Sequence, residues 1–175
     1  MCGIVGYISR KEYKEDVLVQ MRDMLKHRGP DDCGLYMDWL CDHQVALAHR
    51  RLSIRDLSKN GAQPMLSDDK SVVVIYNGEI YNSDQIKEEL IKKNHIFKST
   101  CDTEVLLEAY LEWGINSVKK FNGMFAYAIL DKREGTLYLV RDRMGEKPLY
   151  YSITEQGIVF GSEIVALEKY PQYNK

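Results

Sequence analysis

The sequence predicts an α+β fold, and three observations carry that reading. Short apolar runs outnumber helical segments. The helices fall in separate blocks rather than alternating one by one with strands. Two pairs of runs meet across short polar turns, as antiparallel hairpins do. At 175 residues the chain has the size of one compact domain with a sizeable core, spanning 1–175 without an internal linker or repeat.

Taken in order, residues 3–8 (Gly-Ile-Val-Gly-Tyr-Ile) form a short, partly β-branched run, a buried strand. Residues 15–26 set Val17, Met21, Met24 and Leu25 near helical spacing. His27-Arg28-Gly29-Pro30-Asp31-Asp32 then ends that helix, since glycine and proline punctuate helix termini. Strands follow near 34–38, 44–49 and 71–76. The last, with Val72-Val73-Val74-Ile75, is expected to stop at Asn77-Gly78, a dipeptide that favours tight turns. Asn82 or Ser83 can cap a helix running to about Lys93, with Ile86, Leu90 and Ile91 inward. Asp102 or Thr103 can open another, with Val105, Leu106, Ala109 and Tyr110 inward, ended by Gly114. Met124–Leu130 and Thr136–Val140 flank Lys132-Arg133-Glu134-Gly135 as a hairpin. Residues 148–153 and 158–161 make a second hairpin, and 163–169 a closing helix.

Composition excludes several classes. A net charge of −2 gives no broad basic field for nucleic acid or an anionic membrane. No apolar run approaches the roughly 18 residues of a spanning helix, and the first residues lack the basic and long apolar regions of a signal peptide. The expectation is a cytoplasmic protein with no nucleic-acid and no membrane partner. The tyrosines spread along the strands lack interleaved basic residues and read as sheet and core. The histidines (His27, His43, His49, His95) and cysteines (Cys2, Cys33, Cys41, Cys101) are too scattered for a zinc site, so no metal is expected. No GxxxxGK phosphate loop is present.

Cys2 is the residue with chemistry to offer. Removal of Met1, which methionine aminopeptidase generally performs ahead of a small residue, exposes it as the first residue. A terminal cysteine holds a thiol with a pKa of roughly 8.5 beside an α-amine of roughly 7.7–8. The amine titrates near neutrality and can take the thiol proton, so one residue supplies nucleophile and base. On position alone, Cys2 reads as an unremarkable second residue.

The motifs around it change that balance. Met1-Cys2-Gly3-Ile4-Val5-Gly6 resembles the opening of class II, N-terminal nucleophile glutamine amidotransferases. His27-Arg28-Gly29-Pro30-Asp31, Ala48-His49-Arg50-Arg51-Leu52-Ser53-Ile54 and Gly61-Ala62-Gln63-Pro64-Met65 narrow the resemblance to the asparagine synthetase type. Tyr76-Asn77-Gly78-Glu79-Ile80-Tyr81-Asn82, Cys101-Asp102-Thr103-Glu104 and Phe121-Asn122-Gly123-Met124-Phe125-Ala126 follow in that family's order. Arg141-Asp142-Arg143, Gly145-Glu146-Lys147-Pro148-Leu149-Tyr150-Tyr151 and Gly161-Ser162-Glu163-Ile164 complete the series across the whole chain.

The resemblance implies a four-layer αββα fold of the N-terminal nucleophile hydrolases and hydrolysis of L-glutamine to glutamate and ammonia. It makes Cys2 the nucleophile, with the Asn77 side-chain amide and the Gly78 N–H as donors to the tetrahedral oxyanion. It gives the zwitterionic substrate Arg51 for its α-carboxylate, a task suited to a guanidinium, and Asp102 for its α-ammonium. Glu79 is expected at the same end, with Leu52 and Ile54 adding backbone or side-chain contacts. An ordinary turn at Asn77-Gly78, a surface Arg51 and a capping Asp102 are the plain structural alternatives. Alternation sends Arg50 and Arg51 to opposite faces. Arg50 stands where relatives often carry an acid and has no assigned role. Arg28-Gly29-Pro30 resembles a mobile loop that covers the substrate.

The domain itself is expected to need no cofactor. ATP and Mg belong to a synthetase domain or subunit, absent from this chain, that would receive the ammonia; a homodimer stays open. Two other functions compete with the glutaminase. One is an inactive glutamine-binding regulatory module; the other is an N-terminal cysteine amidase for a different amide, against which the paired Arg51 and Asp102 argue.

Overall fold

The computed structural model describes residues 1–53 and 59–173. Two antiparallel sheets face one another. The first contains β1 (Gly3–Ser9), β2 (Asp32–Leu40), β3 (His43–Arg51), β8 (Tyr150–Thr154) and β9 (Gly157–Gly161), in the order β2-β3-β1-β9-β8. The second contains β4 (Met65–Leu66), β5 (Val72–Ile80), β6 (Gly123–Asp131) and β7 (Thr136–Arg141), in sequence order. Helices α1 (Glu15–Asp23) and α4 (Ile164–Leu167) cover the outer face of the first sheet; α2 (Ser83–Ile91) and α3 (Asp102–Trp113) cover that of the second. The result is the expected α+β, four-layer αββα sandwich.

Strand alternation builds these layers. Ile4, Val45, Leu47, Val73, Ile75, Ala126, Ala128 and Phe160 fill the space between the sheets. Their sequence neighbours Val5, Tyr7, Ala46 and Ala48 pack on Leu18 and Met21 of α1. Val72, Val74 and Tyr76 pack on Ile86, Leu90, Leu106 and Tyr110 of the other helix layer. Both faces of β1, β3 and β5 are therefore buried, which is why Val45–Ala48 of β3 and Val72–Tyr76 of β5 are unbroken apolar runs. Each fully buried large side chain contributes about 1.5–3 kcal/mol.

Several local expectations are corrected. β5 does not stop at Asn77-Gly78 but runs through it to Ile80, pairing Asn77 with Ala126 and Gly78 with Phe125. Pairing with β6 overrides the turn preference of the dipeptide. Asn82 stands at the N-cap of α2 without a capping bond. Its side chain instead accepts from the Asn122 N–H at 2.9 Å and donates to the Lys120 carbonyl at 2.9 Å. Asp102 opens α3 without capping it. Glu104, in the first turn, ties down the preceding loop, accepting the Lys98 and Ser99 N–H groups at 2.8 Å each. The helix from Glu15 ends at Asp23, before the looser turns through Arg28, and α4 is a single turn. The two-residue β4 is too short to leave a periodic signal.

Candidate active site

Cys2 immediately precedes β1, the central strand of its sheet, and two contacts hold that end. Arg28 Nε donates to the Cys2 carbonyl at 2.9 Å, and Ser162 exchanges bonds with the Ile4 N–H and carbonyl at 3.0 and 2.8 Å. Arg28 is itself paired with Glu163 at 2.7 Å. Arg28, Gly29 and Pro30 are absent from the cavity lining described below. Asp31, which follows them, supports the exit of β3: its N–H donates to the Arg51 carbonyl at 3.0 Å, and its side chain accepts the Ser53 N–H at 2.8 Å.

That exit delivers three groups. Arg50 turns to the helix face and meets Asp23 of α1 at 2.5 Å. Arg51, one residue on, takes the inter-sheet face, as alternation requires. A Cβ at Gly61 would lie 2.3 Å from Arg51 Nη2, so glycine lets the guanidinium pass close to the backbone there. Leu52 then brings its main chain to Cys2, its N–H 3.4 Å and its carbonyl 3.7 Å from Sγ. Ile54 lies outside the described residues.

Between the sheets these groups border a cavity of about 260 Å³, lined by Cys2, Arg51, Asn77, Gly78, Glu79 and Asp102 among others. This is smaller than the roughly 300–1,000 Å³ of drug-sized sites and of a scale for a small metabolite. Asn77 is 1% exposed, and its Nδ2 has no hydrogen-bond partner among the described residues. A buried amide donor left unpaired costs about 1–3 kcal/mol; such a group is a strong pointer to an absent acceptor.

The β5 edge supplies a second donor. Its even-numbered residues direct their backbone groups away from β6: the Val72 carbonyl accepts from Ser67, Tyr76 N–H donates to Gln63 Oε1, and Ile80 N–H donates to Asp102 Oδ2. β4 pairs only as far as Val74, so the edge is open beyond it. Gly78 has the same parity, between the two satisfied N–H groups, so its N–H points to the open edge beyond β4. A Cβ there would lie 2.4 Å from the Met124 carbonyl, so any other residue would displace β5 from β6.

Electrostatics favour a protonated Cys2 thiol. Burial pushes the Cys2 thiol up. The Leu52 N–H, the terminal ammonium and Arg51 oppose that, and Asp102 adds to it. His49, behind the site, is pushed down to about 3, chiefly because full burial disfavours its cation; the Tyr76 carbonyl opposes and Arg51 adds. It is not in the cavity lining and is too weak a base to activate the thiol.

The chain matches the model of the glutamine amidotransferase domain over residues 1–175. It belongs to that family. Among curated relatives, the domain is similar to asparagine synthetase [glutamine-hydrolyzing] 3 of Bacillus subtilis, 39% identical over 98% of this chain and 28% of that protein. Asparagine synthetase [glutamine-hydrolyzing] 2 of the same organism is 44% identical, over 98% of this chain and 23% of that protein. A putative asparagine synthetase [glutamine-hydrolyzing] 2 of Methanocaldococcus jannaschii is 38% identical, over 100% of this chain and 36% of that protein. The domain thus spans 23–36% of the length of these relatives. In fold it is similar to the glutamine phosphoribosylpyrophosphate amidotransferase of B. subtilis, with a TM-score of 0.79 at 20% identity over 95% of this chain and 43% of that one.

Of the site residues named from sequence, Cys2, Leu52, Arg51, Asn77, Gly78, Glu79 and Asp102 meet at one cavity. Gln63, Tyr76, Cys101 and Lys147 also line it and were not singled out. Lys147 follows from the Arg141-Asp142-Arg143 motif. Asp142 accepts the N–H groups of Phe125, Met144, Glu146 and Lys147, and Arg141 Nε donates to the Lys147 carbonyl. These bonds set the loop that turns Lys147 inward. Among the described residues, no cluster of histidines, cysteines and carboxylates could hold a metal ion, and no helix is long and apolar enough to cross a membrane.

Proposed function

We propose that this domain hydrolyses L-glutamine to glutamate and ammonia, with Cys2 as nucleophile once Met1 is removed. The observation that carries the proposal is the buried, unpaired Nδ2 of Asn77 on the wall of the cavity that Cys2 borders. In this reading Asn77 Nδ2 and the Gly78 N–H receive the oxyanion as sulfur attacks the side-chain amide carbon. Arg51 binds the α-carboxylate. Asp102, both of whose protein hydrogen bonds fall on Oδ2, turns Oδ1 to the α-ammonium. Glu79 supports that end, and the Leu52 N–H steadies the sulfur.

The elevated thiol calls for a base, and the freed Cys2 amine is the nearest one. It takes the thiol proton as the C–S bond forms, then passes it to the leaving nitrogen as the C–N bond breaks, releasing ammonia. Water, deprotonated by the same amine, cleaves the thioester to glutamate and restores the thiol. The ammonia passes to an asparagine-synthetase-like domain or subunit that uses ATP and Mg.

A second reading, a glutamine-binding module without turnover, requires Met1 to be retained in the mature protein, where it would tie up the Cys2 nitrogen in a peptide bond. In the unprocessed chain Met1 lines the cavity, its Sδ 3.3 Å from Lys147 Nζ. Intact mass before and after 6-diazo-5-oxo-norleucine separates the two. The glutaminase loses methionine and gains one adduct on Cys2. Correctly processed protein that gains no adduct overturns the proposal in favour of the binding module.

A further inference from the structure

Tyr76 makes hydrogen bonds from three parts of itself. Its hydroxyl donates to Asp102 Oδ2 at 2.7 Å, its N–H donates to Gln63 Oε1 at 2.6 Å, and its carbonyl lies 3.1 Å from His49 Nε2. A carbonyl can only accept, so His49 carries its proton on Nε2, leaving Nδ1 buried and unpaired. Gln63 is fixed in turn, donating to Thr103 Oγ1 at 3.1 Å in the first turn of α3.

These bonds fall where the site is made. The Tyr76 carbonyl belongs to the peptide that joins it to Asn77, so His49 and Gln63 grip the backbone immediately ahead of both oxyanion donors. They do so where β4 has ended and no neighbouring strand could. The hydroxyl reaches the opposite end of the cavity. Asp102 Oδ2 already accepts the Ile80 N–H at 3.0 Å; with the phenol as a second donor, that oxygen is committed to the protein and the carboxylate cannot rotate freely.

We propose that Tyr76 is a positioning residue that couples the two ends of the glutamine site: its hydroxyl presents Asp102 Oδ1 to the α-ammonium, and its backbone, held by Gln63 at the N–H and His49 at the carbonyl, sets Asn77 and Gly78. The inference rests on the glutamine reading above. It makes Tyr76 a determinant of selectivity for a substrate bearing an α-amine, without itself touching the reacting amide.

The test is calorimetric binding to a Cys2→Ala background, with and without Tyr76→Phe, using L-glutamine and 4-carbamoylbutanoate, which lacks only the α-amine. Tyr76→Phe is expected to weaken glutamine by about 10-fold, the scale of one charge-assisted bond, and to leave the amine-free amide unchanged. Equal loss for both ligands, or no loss for glutamine, overturns the inference. If the background protein binds no glutamine at all, the substrate reading fails with it. A second arm uses active protein. His49→Leu is expected to lower kcat with little change in KM, and His49→Gln, which keeps an N–H donor, to recover most of the loss. No recovery with Gln in folded protein removes His49 from the argument.

Discussion

The Leu52 N–H lies 3.4 Å from Cys2 Sγ and the Leu52 carbonyl 3.7 Å from it, so the sulfur rests against one peptide-bearing residue at the end of β3. That arrangement holds the nucleophile without ionising it. Burial, which raises the thiol, outweighs the N–H, the terminal charge and Arg51, which lower it. In the proposed mechanism activation comes from the Cys2 amine, a base that exists only after processing.

Unprocessed protein should therefore alkylate slowly. With Met1 retained, reaction of Cys2 with iodoacetamide is expected to follow a pH curve displaced upward from free cysteine. Peptide mapping across pH 7–10 reads the displacement directly. A curve at or below that of free cysteine would mean the thiolate is stabilised and no external base is needed. In processed protein, Cys2→Ala should abolish ammonia release while glutamine still binds.

Asn77→Ala should separate function from stability. Loss of one oxyanion donor lowers kcat by about 10²–10³-fold. Among the described residues no group loses a bond to Nδ2, which has no partner there, and the deleted volume opens onto the cavity. The melting temperature should stay level or rise, since an unsatisfied buried donor has been removed. A change confined to KM would place Asn77 in ground-state binding.

Asn77 also marks where the sequence could and could not be read. The β-branched run ahead of it announced a strand, and the alternation of Arg50 and Arg51 announced their opposite faces. The local preference of Asn77-Gly78 pointed to a turn, and only pairing with β6, remote in sequence, shows that the strand continues. Family motifs named Gly78 as a donor, whereas the reason its N–H is open is the early end of β4, two residues that leave no pattern. Gln63, Tyr76 and Lys147 lay inside motifs already recognised. Their part in the cavity depends on which side chains fold back to cover a strand edge, and neither spacing nor propensity encodes that.

His95 gives a pH dependence away from the site. Burial alone would lower it, but Glu108 at 2.6 Å and Glu112 at 3.1 Å raise it above its ordinary value. A histidine raised on folding contributes stability that is full below its unfolded value, about 6.5, and is lost as pH climbs through the folded value. The melting temperature should accordingly decline as pH rises above about 6.5, and His95→Gln should flatten that part of the profile. An identical slope in the variant would assign the decline to other groups.

The adjacent arginines offer the sharpest contrast. Arg51 borders the cavity that Cys2 borders, and its charge helps to lower the thiol; Arg50 crosses the sheet to Asp23 on α1. Arg51→Gln should raise the KM for glutamine by about 10–150-fold, the value of a charged hydrogen bond to a carboxylate, because a substrate carboxylate would enter the cavity without its cation. Arg50→Gln should leave KM within about twofold, since no ligand contact is lost, and act on stability. Asp23, although burial opposes it, is held below the usual carboxylate range by Arg22 and Arg50. The stabilisation from that pair is present above the unfolded carboxylate value and is lost as pH falls through the folded one. Arg50→Gln should therefore destabilise the domain at neutral pH and approach the parent as pH falls through the folded Asp23 value. Its thermal melt against pH and the two KM values settle the assignment together: if Arg50→Gln moved KM as far as Arg51→Gln, the register of β3 could not explain which arginine meets the substrate.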